Sequence, residues 1–109
     1  MTVEQLINET GLSPLSVPDP QRQINGVYIG DLLSWVMGRA REGQAWITIM
    51  SNVNVIAVAS LSDVCCVILA EGVTLEEDIA RTALEKGINV LVSKEPIYET
   101  AMLLQGVLK

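Results

Sequence analysis

From Val64 to Leu69 six apolar residues run without interruption, several of them β-branched, and Ala70-Glu71-Gly72 follows. A run of that length bounded by turn residues predicts a strand buried on both faces in the middle of a parallel sheet. The elements on either side follow from the same pattern. Thr2 and Gln5 fit a capping box, and Val3, Leu6, Ile7 and Thr10 recur at helical spacing before Gly11, which predicts a short N-terminal helix. Pro14, Pro18 and Pro20 restrict residues 12–26 to an irregular loop with a short edge strand at Leu15-Ser16-Val17. Gly26-Val27-Tyr28-Ile29-Gly30 reads as a short strand, and Asp31 as the cap of a helix running to about Arg41. Its buried stripe would hold Leu32, Leu33, Val36, Met37 and Ala40, leaving Ser34, Trp35, Gly38 and Arg39 outside.

Ala45 to Met50 alternates as a strand. Residues 52–61 are ambiguous, because their β-branched content favours a strand while Asn52 or Asn54 could cap a buried helix supported by Ala57, Ala59 and Leu61. Parallel pairing of 45–50 with 64–69 needs a crossover between them, so a helix is expected. Thr74 and Glu77 form a second capping-box pattern ahead of a stripe of Leu75, Ile79, Ala80, Ala83 and Leu84, and Lys86 and Gly87 close that helix. Ile88 to Val92 is the next strand, so 64–92 is a βαβ unit. Ser93 or Glu95 with Pro96 begins a last helix with Ile97, Ala101, Leu104 and Leu108 on one face. The fold class is α/β: a mainly parallel sheet with flanking helices, in one domain over residues 1–109.

Composition narrows the function classes. The chain is 50% apolar and only 18% charged, an excess that points to surface covered by a partner. A net charge of −6 disfavours nucleic acid and anionic lipid, and no stretch approaches a membrane span. The first residues do not read as a signal peptide, so a cytosolic protein is expected.

Strong chemical signatures are missing. There is no phosphate loop, no Gly-x-Gly-x-x-Gly, no Cys-x-x-Cys and no His for a triad or a metal. Cys65 and Cys66 would point to opposite faces of a strand and read as two small buried hydrophobes. No catalytic residue, cofactor or metal site is expected. Candidate ligand positions are therefore the loops at the carboxyl ends of the strands, next to helix N-termini: Gly30 and Asp31; Ser51, Asn52 and Asn54; Glu71, Gly72 and Thr74; and Lys94. Asp31, Asn54 and Thr74 also have a plain reading as helix caps, and Glu71 after six buried residues reads first as a solvated strand end and second as a carboxylate partnered by Lys94. Trp35, Gly38 and Arg39, off the buried stripe, are the interface candidates.

Gly30-Asp31-Leu32-Leu33-Ser34, Ala57-Val58-Ala59-Ser60-Leu61, Val67-Ile68-Leu69-Ala70-Glu71-Gly72 and Gly87-Ile88-Asn89-Val90-Leu91 together resemble the DRTGG-domain family over about residues 25–109. Residues 1–24 supply the N-terminal helix and the proline-containing edge segment. The chain also resembles the N-terminal domain of HPr kinase/phosphorylase, a fold shared with the N-terminal domain of Mur ligases. Where a typical member has Asp-Arg after one strand and Thr-Gly-Gly after the next, this chain has Ser51-Asn52 and Ala70-Glu71-Gly72. The resemblance implies an accessory, regulatory or dimerising domain and no kinase activity. Two readings follow: a non-catalytic regulatory domain that forms a homodimer, and a sensor of a small anion or nucleotide.

Overall fold

The computed structural model describes residues 1–108. Its elements are α1 (Val3–Thr10), β1 (Ser13–Ser16), β2 (Val27–Ile29), α2 (Leu33–Arg39), β3 (Ala45–Thr48), α3 (Val53–Ser62), β4 (Cys66–Leu69), α4 (Glu77–Glu85), β5 (Val90–Val92) and α5 (Ile97–Val107). They build a five-stranded sheet in the order β1-β5-β4-β3-β2, parallel except for β1, which runs antiparallel to β5. The opening run is the central strand, as its two-sided burial requires.

Alternation along each strand sorts the core into two layers. Trp46, Val67, Leu69 and Val90 face α2, α3 and α4, while Ala45, Ile47, Cys66, Ile68 and Leu91 face α1 and α5. Each fully buried Ile or Leu among these contributes about 1.5–3 kcal/mol relative to leaving it in water. From β2 to β5 every crossover helix lies on the same face and every step moves one strand over in the same direction. The parallel part of the sheet therefore has no point where the strand order reverses, the usual origin of a ligand crevice. Any cleft must come from how neighbouring helices separate.

Residues 52–61 are helical. Asn52 caps α3 by accepting from the Asn54 N–H at 2.9 Å. The helix is not fully buried, since Val53, Ala57 and Leu61 are exposed. Its C-cap, Asp63, has φ 55° and is held by Arg22, which makes an ion pair with the carboxylate at 3.1 Å and donates to the carbonyl at 2.8 Å. α1 has both halves of the expected capping box, and Gly11 at φ 75° closes it.

Other expectations need correction. α2 is only seven residues long, and Leu33, Val36 and Ala40 alone reach the core, so Leu32 and Met37 are exposed. Leu84 is likewise exposed on α4. Cys65 lies in the bend before β4, outside the strand alternation, so both cysteines sit in the same layer with their sulfurs 3.8 Å apart. The Cys65 thiol and complete burial push the Cys66 thiol well above its ordinary value, which leaves it protonated and inert. Among the described residues no helix is long and apolar enough to cross a membrane.

Candidate functional site

The carboxyl end of the sheet is tied together by two polar devices. At one side Asp31 accepts from the Thr48 hydroxyl at 2.7 Å and from the Ile49 N–H at 3.0 Å, fastening the end of β2 to the end of β3. It is not the cap of α2, which starts after Leu32 with no side-chain cap. The Gly30 carbonyl accepts from the Trp46 indole at 2.8 Å, so Gly30 also serves the β2–β3 junction. At the other side Ala70-Glu71-Gly72-Val73 forms a tight turn, closed by the Val73 N–H on the Ala70 carbonyl at 3.1 Å. Both central residues have positive φ, 62° for Glu71 and 71° for Gly72. That turn leans on the β5–α5 loop, where the Glu71 N–H donates to the Glu95 carbonyl and the Gly72 N–H to the Ser93 carbonyl.

Between these fixed points the N-terminal ends of α3 and α4 leave a cleft of about 720 Å³. It is lined by Ile49, Met50, Ser51, Asn52 and Val53 from the β3–α3 junction, by Thr74 and Glu76 ahead of α4, and by Asp78, Ile79 and Thr82 on α4. The surface mixes apolar side chains with hydroxyls, one amide and two carboxylates, and among the described residues it contains no Lys or Arg. Such a lining accommodates an apolar or ring-bearing ligand by shape and fixes it through a few polar groups. An anionic part would have to turn towards the positive end of α3, away from Glu76 and Asp78.

Of the residues singled out from sequence, the structure brings Ser51, Asn52 and Thr74 into this cleft. Asn54 lies one residue into α3 with its side chain exposed. Thr74 does not cap α4: the helix begins only at Glu77 after Glu76, and no side-chain cap is made. Leu75, buried in the core, holds the preceding segment extended and delays the first helical turn. Glu71 and Gly72 are drawn to the β5 side, and Lys94 lines a second cavity of about 510 Å³ between α1, β1 and α5. Glu71 is exposed and makes no ion pair with Lys94 among the described residues. Sequence reasoning missed Glu76, Asp78 and Thr82, whose only signal was the i,i+4 spacing of Asp78 and Thr82 on α4 and the position of Glu76 at its start.

The interface candidates lie together at the other end of the sheet order. Trp35 is 54% exposed, with the Arg39 guanidinium 3.9 Å from its ring centre, and Gly38 beside them is exposed. Leu32 at 58% and Met37 at 48% are also exposed on and beside α2, and Ile29 at 47% is exposed on β2, where its register opposite Ile47 puts it on the α1/α5 face of the sheet, away from α2. Single exposed hydrophobics are ordinary on a folded surface, whereas several on one edge and its flanking helix are not.

Two comparisons with known proteins give matches. The DRTGG domain family model matches residues 5–107. In structure, the chain is similar to the CBS and DRTGG domains of the regulatory region of Clostridium perfringens pyrophosphatase, solved in complex with the activator diadenosine tetraphosphate. The TM-score is 0.74 at 14% identity, and the match covers 94% of this chain but 45% of that one. The two share the fold, and this chain spans less than half the length of that regulatory region. No curated protein sequence matches the chain.

Proposed function

The chain belongs to the DRTGG-domain family, and from that premise we propose that it is a non-catalytic regulatory domain that acts by associating with a second copy of itself. One observation carries the reading: the edge strand β2 and its helix α2 expose Ile29, Leu32, Trp35 and Met37. Covering them would remove apolar surface from water at about 25 cal/mol per Å², and Trp and Arg are residue types that concentrate binding energy at interfaces. Light scattering at micromolar concentration tests the reading. A dimer that Trp35→Ala converts to monomer supports it, and a monomer unaffected by that change overturns it. The proposal places the domain in the cytosol and keeps the kinship with the N-terminal domain of HPr kinase/phosphorylase that the glycine and apolar motifs suggest.

A second reading has its own observation, the cleft between α3 and α4. Here the domain senses a nucleotide or another small anion, as the pyrophosphatase regulatory region binds diadenosine tetraphosphate. The base and sugar would occupy the apolar part of the cleft, with the phosphates towards Asn52 and Asn54 at the start of α3. A thermal-shift panel of nucleotides, acyl phosphates and pyrophosphate separates the readings. A ligand at 100 times its Kd adds ~2.7 kcal/mol of stability, and silence across the panel removes the sensor reading.

A further inference from the structure

The β2–β3 ladder fixes which backbone groups of β2 are used. The Gly26 carbonyl accepts from the Ala45 N–H at 2.8 Å, and the Gly30 N–H donates to the Ile47 carbonyl at 3.2 Å. With Tyr28 opposite Trp46 in a parallel register, residues 26, 28 and 30 point their backbone groups at β3. The N–H and C=O of Val27 and of Ile29 therefore point outwards, and among the described residues no strand lies beyond β2. They are arranged symmetrically about Tyr28.

The opposite edge of the sheet is defended. β1 carries Pro14 and a register break between Pro14 and Ser16, both of which obstruct pairing with a further strand. β2 has no proline, no bulge and no charged residue. Electrostatics point the same way. Two chains of net charge −6 repel, yet residues 26–41 hold Arg39 and Arg41 against a single carboxylate, Asp31, which is engaged with Thr48 and Ile49. This edge brings the least negative charge against a copy of itself.

We propose that β2 pairs with β2 of a second copy of this chain, antiparallel about a two-fold axis through Tyr28, so that the two sheets become one continuous sheet. In that register Val27 of each copy lies opposite Ile29 of the other and all the outward N–H and C=O groups are satisfied reciprocally. Three residues of pairing are too short to hold a dimer alone. Ile29 on one face of the joined sheet and exposed apolar residues of α2 on the other, contributed by both copies, supply the rest. This rests on the self-association reading and specifies its geometry.

The test uses the full chain and two kinds of variant. Ile29→Pro removes an outward N–H and leaves the β3 ladder intact, because proline is tolerated on an edge strand with its nitrogen facing solvent. Light scattering is expected to give twice the 11.8 kDa chain mass for the unaltered protein and the chain mass for the variant, with the far-ultraviolet spectrum unchanged. Tyr28→Cys places a thiol opposite its own copy at a Cα separation of ~4.5 Å, and mild oxidation should give a covalent dimer. Ile29→Cys should not cross-link, since its copies would lie beyond the ~7 Å that a disulfide spans. Cys65 and Cys66 are buried and do not compete. An unaltered chain that stays monomeric overturns both the self-association reading and this geometry. A dimer that survives Ile29→Pro and does not cross-link through Tyr28→Cys overturns the strand pairing alone and leaves association through α2.

Discussion

Replacing Asp31 by Ala removes the carboxylate that ties the end of β2 to the end of β3, while the Trp46 indole still holds the Gly30 carbonyl. Two hydrogen bonds are lost, from the Thr48 hydroxyl at 2.7 Å and from the Ile49 N–H at 3.0 Å. Thr48 is fully buried, and although its oxygen still accepts from the Met50 N–H, its own O–H is left without an acceptor. A hydrogen bond to a charged group contributes about 1.5–3 kcal/mol, and a stranded buried donor costs about 1–3 kcal/mol. Asp31 is half-buried and partly screened, so the lower ends apply and the total is about 2–3 kcal/mol. For a domain near 100 residues that corresponds to a Tm lower by about 10 °C. Differential scanning calorimetry of Asp31→Ala, with Thr74→Ala as the paired control, reads it directly. Thr74 caps nothing, so its removal should move Tm by less than about 2 °C, given surface effects within ±0.5 kcal/mol. Equal shifts for the two variants would refute the assignment of Asp31 as the tether.

Glu71 at φ 62° occupies a conformation that disfavours any side chain with a Cβ, so Glu71→Gly should stabilise the fold by about 0.5–1 kcal/mol after glycine's greater entropy loss, read as a higher urea midpoint. The Cys66 thiol is raised by the Cys65 thiol and by burial, so the folded chain keeps a proton that the unfolded chain releases. Stability contributed by this group is complete below the unfolded thiol pKa of about 8.5 and is lost as pH rises above it. Urea titrations at alkaline pH should show a decline that Cys66→Ala reduces. If the cleft holds an anionic ligand, Glu76→Gln with Asp78→Asn should tighten it several-fold, as measured by calorimetric titration, whereas weaker binding would show that these carboxylates contact the ligand directly.

The central strand was legible from its uninterrupted apolar run, and the helix at 53–62 from the crossover that parallel pairing of its flanking strands requires, with Asn52 as the one of two candidate residues that caps it. Failures arose where tertiary packing overrode a local pattern. Thr74 to Glu77 has the spacing of a capping box, yet burial of Leu75 keeps that segment extended, and the helix starts where the box was to end. Asp31 has the identity and position of a helix cap, yet the neighbouring strand offers it a buried hydroxyl and a free N–H. The stripe of α2 was too wide because a short helix at the sheet edge has core beneath only part of it, which is why Leu32 and Met37 joined Trp35 outside. Half of the cleft was visible as strand-end loops. The α4 half was not, because which face of α4 looks towards α3 depends on the sheet order and not on the spacing of its own residues.

Association through the β2 edge is the central claim, and amide hydrogen exchange at Val27 and Ile29, followed as protein concentration is raised, tests it most directly. Their N–H groups face away from β3, while those of Tyr28 and Gly30 face into the ladder. The account predicts that protection at Val27 and Ile29 grows with concentration towards that of Tyr28 and Gly30. Rapid exchange at Val27 and Ile29 at every concentration, beside a protected Tyr28 and Gly30, would contradict it.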